Sequence, residues 1–316
     1  MPSASVTPPA SSIRIGLQFA GAALVWGASF FFMKVALTGT SWGQVSVTRL
    51  VFGALALAAI VAATRTRLPR SPRVLAHFLV VGVVGSFVPY TLFAWAEQYV
   101  SSGLASIYNA CTPLLTVLMV TLAFRVEKLR RRQLLGVLVG VVGVLVLVAP
   151  WRDVADGAGV SAVSGQLACI GAAVCYGFTY AYLRRFVAPT GVGPLATAFL
   201  QIGVAAAIAL LCSPWLASDP VSLTPAIVAS LAVLGVAGTG LAYLWNMNVL
   251  AAWGPTVAST ITYVTPVVGV TLGILVLGEA LEVTEPIGAA LIFAGILLAQ
   301  RRSRAARLAV PPAERG

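Results

Sequence analysis

Charged side chains are scarce in this sequence of 316 residues, and that scarcity indicates its class. Lys, Arg, Asp and Glu together make up 9% of the chain, against about 25% in an average soluble domain. Apolar residues make up 59%, and the mean hydropathy is +0.96. So few charged side chains cannot cover the surface of a globular protein in water. The composition therefore predicts an integral membrane protein in a lipid bilayer.

Metal ligands and catalytic groups are also rare. The chain has one histidine, His77, and four cysteines, none in a CxxC pair, which is too few ligands for a His/Cys metal site. There is no HExxH motif, and no aspartate lies within an apolar run. Chemistry inside a bilayer needs ionisable side chains there. We therefore predict that the chain is not an enzyme and has no catalytic residue, metal or cofactor.

The net charge of +11 is compatible with a nucleic-acid-binding protein, but the placement of the charges argues against that function. Basic residues form short clusters between apolar runs, and no basic stripe is interleaved with exposed aromatic residues. Short basic loops are what fixes the orientation of a membrane protein. The sequence therefore predicts no nucleic-acid partner.

Ten apolar runs follow one another along the chain, each close to the length that crosses the hydrocarbon as a helix. They cover residues 15–35, 44–63, 74–95, 101–124, 133–150, 163–183, 194–213, 225–246, 255–277 and 285–300. An open sheet is excluded because its edge groups would be unpaired in lipid. The predicted fold class is an all-α integral membrane protein with ten transmembrane helices.

Basic residues collect on one side of these predicted spans. With the N-terminus inside, every one of the 20 basic residues except Lys34, Arg49 and Arg152 falls in an inner loop or tail. Most acidic residues fall on the outer side. The positive-inside rule then predicts a multi-pass protein of the cell inner membrane with both termini cytoplasmic. Residues 1–14 are predicted to be a disordered cytoplasmic tail, and residues 301–316 a basic cytoplasmic tail.

The chain also repeats itself at an offset of 150 to 153 residues. The matched pairs are Trp26-Gly27 with Tyr176-Gly177, Ser29 with Thr179, Gly53 with Gly203, Tyr90 with Tyr243, and Thr112-Pro113 with Thr265-Pro266. Self-similarity at a fixed period indicates an internal duplication, with repeats at 15–150 and 163–300. Five spans per repeat is an odd number, so the second repeat is inverted. Inverted repeats with a site at their interface are a transporter architecture.

The two copies carry a motif that resembles a known family. The first is the run Leu104 to Leu114, LASIYNACTPL, followed by Glu127, Gly136 and Gly143. The second is Val257 to Pro266, followed by Glu279, Gly288 and Gly295. Both resemble the EamA module of the drug/metabolite transporter superfamily. The resemblance implies a ten-helix, two-repeat carrier, often an exporter of amino acids or other metabolites.

Arg49 is the most informative candidate site residue. An arginine inside a span is expensive and by default faces the bundle interior or a water-filled cavity. Its planar fork suits a carboxylate or a phosphate. Because Arg49 lies near the predicted start of its span, snorkelling to the outer interface is the alternative. Phe199 falls opposite Arg49 in the second repeat, so only one half supplies this charge.

Polar and aromatic residues within the spans make up the other candidates. The predicted substrate-binding set is Trp26, Ser29, Arg49, Tyr90, Tyr108, Asn109, Tyr176, Thr179, Tyr243, Asn246, Thr262 and Tyr263. A largely apolar pocket with a few polar groups suits an amphiphilic solute. The alternative is structural packing of these side chains against the abundant small residues.

Glu97 ends the third predicted span and has two interpretations. It pairs with Lys34 or Arg49 near the outer mouth, or it is an ordinary solvated loop acid. No carboxylate is predicted at mid-membrane, so the sequence indicates no proton-coupling site.

The function predicted from the sequence is secondary transport. The chain would carry small organic metabolites, such as amino acids or amphiphilic drugs, by alternating access at a cavity between the repeats. The resemblance to the EamA module implies export rather than import. The alternative is a non-transporting membrane scaffold or assembly protein. Its soluble loops should then carry binding surface, and the longest, from Pro150 to Ala162, is short. The sequence is compatible with either a monomer or a homodimer.

Overall fold

The computed structural model of the protein describes residues 9–125, 131–148 and 160–300, and within these ranges it is helical with no strands. Ten helical segments follow one another. They are α1 Pro9–Ala36, α2 Trp42–Thr64, α3 Pro72–Ala96, α4 Ser102–Ala123, α5 Arg131–Val148, α6 Val160–Tyr182, α7 Pro194–Leu216, α8 Pro225–Trp253, α9 Ser259–Leu277 and α10 Thr284–Gln300.

Nine segments in the described part of the chain are long and apolar enough to cross a membrane, and α10 is a shorter apolar helix. The predicted ten-helix fold class is confirmed. One boundary difference is in α8, which continues to Trp253, well beyond the predicted end at residue 246. Gly254 ends it with a φ of 81°, a backbone conformation that favours glycine. The N-terminal prediction also differs, because α1 begins at Pro9, inside the tail 1–14 predicted to be disordered. The predicted tail 301–316 lies outside the described residues.

Local sequence signals set several helix starts. Ser41 caps α2 in a capping box, with its side chain accepting from the Gln44 amide while the Gln44 side chain accepts from the Ser41 amide. Ser101 and Thr224 cap α4 and α8 in the ordinary way, each accepting an amide hydrogen bond three residues further on.

Four helices are irregular near the centre of the bundle, at matching places in the two repeats. A π-helical stretch covers Val83–Phe87 in α3, and another covers Val233–Leu241 in α8. The chain also turns before each Thr-Pro pair: α4 is interrupted before Thr112–Leu118, and α9 starts as a 3₁₀ turn before Thr265–Leu277. Proline cannot donate to the preceding turn, so each one stands in the first turn of a new helical stretch.

Each helix packs mainly against the opposite repeat. Helix α1 contacts α8 and α9, and its counterpart α6 contacts α3 and α4. Helix α2 packs on its own counterpart α7, and α5 packs on α10. Single residues follow the same rule: a Cβ on Gly27 would lie 2.6 Å from Val268 Cβ, and one on the matched Gly177 2.9 Å from Leu115 Cβ. The structure is therefore a pair of inverted five-helix repeats related by a pseudo-twofold axis.

Helices α5 and α10 meet along glycines at the edge of this arrangement. A Cβ on Gly136 would lie 2.4 Å from the Gly295 carbonyl oxygen, and one on Gly143 2.9 Å from that of Gly288. The repeat matches Gly136 with Gly288 and Gly143 with Gly295, so each glycine contacts the counterpart of the other one on its helix. Close backbone approach at small residues is the usual basis of helix association in lipid.

The two ends of the bundle differ in charge. The carboxylate end is where α1 joins α2, α3 joins α4, α7 joins α8 and α9 joins α10. The basic end is the opposite one. At the carboxylate end the repeats are tied by backbone and side-chain bonds: the Ser222 amide donates to the Gly39 carbonyl at 2.8 Å. The Gln44 side chain donates to the carbonyls of Ala217 and Asp219.

Candidate functional site

A cavity lies between the two repeats at the level of the irregular helix stretches, with ≈ 700 Å³ of empty space including the part that opens to solvent. Ten of the twelve predicted site residues line it: Trp26, Ser29, Arg49, Tyr90, Asn109, Tyr176, Thr179, Tyr243, Asn246 and Thr262. They come from helices α1, α2, α3, α4, α6, α8 and α9. The inverted packing thus brings residues that are distant in sequence to one central space.

The aromatic lining follows the pseudo-twofold axis. The ring centroids of Trp26 and Tyr243 are 6.4 Å apart, and those of the matched Tyr176 and Tyr90 are also 6.4 Å apart. Each pair joins the first helix of one repeat to the third helix of the other. Such tilted and edge-on pairs are favourable aromatic arrangements, so the four rings form a rigid apolar wall.

The π-helical stretches let the backbone come close to this wall. A Cβ on Gly85 would lie 2.7 Å from Thr179 Oγ1, and one on the matched Gly238 3.1 Å from Ser29 Oγ. The Trp26 indole N–H donates to the Gly238 carbonyl at 2.9 Å. Local π geometry is frequent at functional sites because it frees backbone groups from the helical ladder.

Arg49 is buried in the cavity wall, with 5% of its surface exposed. Its guanidinium carbon lies 4.0 Å from the centre of the Tyr90 ring, a cation–π contact. Its Nε donates to Thr239 Oγ1 at 3.3 Å, and Nη1 lies 3.9 Å from the Met33 sulfur. No ion pair to this guanidinium is found among the described residues. The geometry therefore favours the cavity-facing interpretation of Arg49 over snorkelling.

The symmetry of the lining breaks at two places. Phe199 occupies the position of Arg49 in α7, so the cavity has charge on one side of the axis. Toward the carboxylate end, the Phe30 and Phe93 rings meet edge to face at 5.3 Å. Their counterparts across the axis, Tyr180 and Asn246, are polar and lie toward the basic end. The Tyr180 hydroxyl donates to Asn246 Oδ1 at 3.2 Å.

Two predicted site residues lie outside the cavity lining. The Tyr108 hydroxyl donates to Gln166 Oε1 at 3.0 Å in the core between α4 and α6. The Tyr263 ring packs edge-on against Phe293 of α10 at 6.2 Å. Each is the immediate neighbour of a lining residue, Asn109 or Thr262. Adjacent side chains point in directions about 100° apart in an α-helix and about 120° apart in a 3₁₀ helix, so the two members of each pair face different surroundings.

Several lining residues were not in the predicted set: Phe30, Met33, Gly85, Phe93, Thr112, Tyr180, Leu183 and Met247. Helical spacing could have found some of them. Phe30 and Met33 lie four and seven positions after Trp26, and Tyr180 lies four after Tyr176. Gly85 carried no such signal, because a glycine within an apolar run looks like any other.

Carboxylates meet at the carboxylate end, just beyond the cavity. Glu279 accepts from the Ser102 amide at 2.9 Å, the Ser102 hydroxyl at 2.9 Å and the Gly103 amide at 3.1 Å. It therefore caps α4 from the opposite repeat. The Lys34 ammonium donates to the backbone carbonyls of Glu97 and Val100.

Glu97 is not the solvated loop acid that was one interpretation of the sequence. It has 0% exposure, and neither carboxylate oxygen has a hydrogen-bond partner among the described residues. Burial raises the pKa of Glu97 well above its usual value, against the opposing charge of Lys34 and with a further increase from Glu279. A buried carboxyl without donors is stable mainly in its protonated form.

The segment Gly39–Gly43 fits the GxSxG pattern of serine hydrolases, and its structure does not support that chemistry. The Ser41 hydroxyl is used in the cap of α2. His77 is on α3 near the basic end, where Nδ1 hydrogen-bonds the Tyr182 hydroxyl at 2.9 Å and the ring stacks on Phe186. Serine and imidazole are therefore at opposite ends of the bundle.

Several proteins with similar sequences are named as transporters. The sequence model of the EamA-like transporter family matches residues 14–149 and again residues 163–300. The uncharacterized transporter YdfC of Bacillus subtilis (strain 168) is 25% identical over 287 residues, covering 90% of this chain and 88% of that protein. The uncharacterized inner membrane transporter YedA of Escherichia coli (strain K12) is 25% identical over 288 residues, covering 87% of each.

Two further matches concern an exporter and a solved structure. A probable terminal-alkyne amino-acid exporter of Streptantibioticus cattleyicolor is 28% identical over 291 residues, covering 89% of this chain and 91% of that protein. A crystal structure shares the fold with a TM-score of 0.64 and 22% identity, over 91% of this chain and 96% of that chain. The family matches span both repeats, and the chain is therefore a multi-pass membrane protein that belongs to the EamA-like transporter family.

Proposed function

We propose that this protein is a secondary transporter that exports small amphiphilic solutes with a carboxylate group, amino acids foremost. The single observation that carries the proposal is Arg49, a buried guanidinium facing an aromatic cavity between inverted repeats. A guanidinium suits a carboxylate, and aromatic walls suit an apolar side chain. The similarity to a probable amino-acid exporter supports both the solute class and the direction.

The cavity offers complementary groups for both ends of an amino acid. Arg49 lines the cavity on the α2–α8 side, where a carboxylate would be held, and the buried Thr239 hydroxyl accepts from its Nε. Asn109 Oδ1 is buried without a hydrogen-bond partner among the described residues, so an acceptor is left over for an ammonium group. A buried acceptor of this kind favours a ligand that donates to it.

The repeat architecture supports alternating access as the mechanism. Because each helix packs mainly on the opposite repeat, a rigid-body movement of one repeat against the other can open the cavity at either end in turn. The ties between Gly39 and Ser222, and between Gln44 and residues 217 and 219, would part when the carboxylate end opens. On this proposal the basic end faces the cytoplasm of the inner membrane.

Counterflow in proteoliposomes tests the solute class. Labelled L-phenylalanine is the probe, and phenethylamine, which lacks the carboxylate, is its matched competitor. Arg49→Ala should fold and lose most of the counterflow, because the carboxylate loses its partner. Arg49→Lys keeps a charge without the planar fork, so it should retain part of the flux with weaker apparent affinity.

The control variant is Arg67→Ala, which removes an exposed arginine at the basic end and should transport as the wild type does. Normal transport by Arg49→Ala would mean that Arg49 is only a structural side chain. Equal competition by phenethylamine and L-phenylalanine would contradict the role of the carboxylate. A wild-type protein that binds the solute without any flux would favour a non-transporting scaffold.

A further inference from the structure

We infer that Glu97 is a proton-binding site whose occupancy is linked to closure of the carboxylate end, an inference that rests on the proposed transport function. The starting point is geometric. Glu97 is fully buried at the junction of α3 and α4, and both of its carboxylate oxygens lack a partner among the described residues. Burying a carboxylate without donors is very costly, whereas a neutral carboxylic acid is tolerated.

The charged groups around Glu97 leave its carboxyl without a direct partner. From α1, the Lys34 ammonium is directed to the backbone carbonyls of Glu97 and Val100, which occupies two of its three donors. From the α9–α10 connection, Glu279 adds a like charge that raises the pKa of Glu97. From α2, Arg49 has an opposing effect on it.

The element packed on the remaining side adds no counter-charge. Helix α6 presents the buried Cys169 thiol, which interacts electrostatically with Glu97. Of the two neighbouring carboxylates, Glu279 is satisfied by three donors at the start of α4, while Glu97 has none. A proton in this cluster therefore belongs on Glu97.

Proton binding would depend on the state of the carboxylate end. The Glu279 bonds to Ser102 and Gly103 join the two repeats directly beside Glu97. When the repeats separate there, water reaches Glu97, the burial that favours its protonated form is lost, and the proton leaves. Protonation thus favours the closed end, and raising the pH favours its opening.

The linkage predicts the sign of a pH effect. Counterflow requires the carboxylate end to open, so its rate should rise as the pH rises, by at most about tenfold per pH unit for one linked proton. Glu97→Gln is permanently neutral, so it should behave as the protonated protein does, with slow counterflow that hardly varies with pH. Glu97→Asp keeps a titratable group and should keep a pH dependence.

Two measurements test this. Infrared difference spectra of the purified protein should show the carbonyl band of a protonated carboxyl group at neutral pH. The band should lose intensity in Glu97→Gln and keep it in Glu282→Gln, which changes an exposed glutamate of the same end. The intensity that remains in Glu97→Gln is expected from Glu285, a second buried carboxyl of this end. L-phenylalanine counterflow is then measured against pH in the wild type, Glu97→Gln and Glu282→Gln. Only Glu97→Gln should lose the increase of the counterflow rate with pH.

The outcomes are distinguishable. The proton site is overturned if the infrared band is absent or unchanged in Glu97→Gln. The linkage is overturned if Glu97→Gln keeps the wild-type pH profile. Absence of counterflow by the wild-type protein at any pH would contradict the proposed function and the linkage, while the infrared band would still report on the proton at Glu97.

Discussion

At the scale of single residues, Arg49 owes its position to Tyr90. The ring centre lies 4.0 Å from the guanidinium carbon and covers one face of it, while the Thr239 hydroxyl accepts from its edge. A cation–π contact that is shielded from water contributes up to about 2 kcal/mol. On the proposed function, Tyr90 is a positioning residue that holds the charge where a carboxylate could reach it.

Tyr90→Leu removes the ring and should raise the half-saturating L-phenylalanine concentration by about two- to thirtyfold, equivalent to about 0.5–2 kcal/mol. Tyr90→Phe keeps the ring and should stay near the wild type. Initial counterflow rates over a range of concentrations give the comparison. Tyr99→Leu changes an exposed aromatic residue at the carboxylate end, outside the cavity, and serves as the control. Equal effects of Phe and Leu at position 90 would assign the role to the hydroxyl instead.

The sequence predicted the residues that line the central cavity better than it predicted the surroundings of the charged side chains. Trp26, Tyr90, Tyr176 and Tyr243 were found because a repeat makes equivalent positions visible. The burial of Glu97 was not predicted, because the surroundings of an acidic residue in a loop depend on how the two repeats pack against each other. No local pattern records that its carboxyl would be buried beneath Lys34 and Glu279.

At the scale of helices, matched glycines have diverged in what they contact. A Cβ on Gly53 of α2 would lie 2.5 Å from Thr239 Cγ2, whereas the matched Gly203 of α7 has nothing within 4 Å. Helix α2 thus approaches the π-helical stretch of α8 more closely than α7 approaches any neighbour at the equivalent point. The hydroxyl of Thr239 can reach Arg49 because of this approach.

Gly53→Ala should destabilise the protein by about 1–3 kcal/mol, because the added methyl group has no space beside Thr239. Gly203→Ala should be neutral or stabilising by up to about 1 kcal/mol, since alanine favours helix and meets no contact. Thermal unfolding of the two variants in one detergent provides the comparison. A similar loss of stability in both would show that the close approach at Gly53 has no energetic effect.

Helix phase sets the limit of prediction at this scale. The spans and their order followed from hydropathy, but their rotation did not. Tyr108 and Tyr263 were expected in the site because they lie beside Asn109 and Thr262. The turns before Thr112 and Thr265 fix which member of each pair faces the cavity, and only the folded chain shows that phase.

At the scale of the whole molecule, the orientation of the bundle is a prediction from charge. Fluorescent-protein fusions at Gly316 should be active, as expected for a cytoplasmic C-terminus. Alkaline phosphatase inserted after Asp156, in the connection between the repeats, should be active on the opposite side. Phosphatase activity at Gly316 would contradict both the ten-span topology and the cytoplasmic position of the basic end.

The pseudo-twofold axis has a consequence for energetics, because the charge of Arg49 has no counterpart across it. If the repeats exchange conformations, the two access states have similar shapes but hold this charge at different depths. A whole elementary charge crossing the full field changes the free energy by about 2.3 kcal/mol per 100 mV. Even a part of that displacement would make the resting ratio of the two states depend on voltage. A carboxylate bound to Arg49 would cancel the effect, so the loaded carrier would respond to voltage less than the empty one.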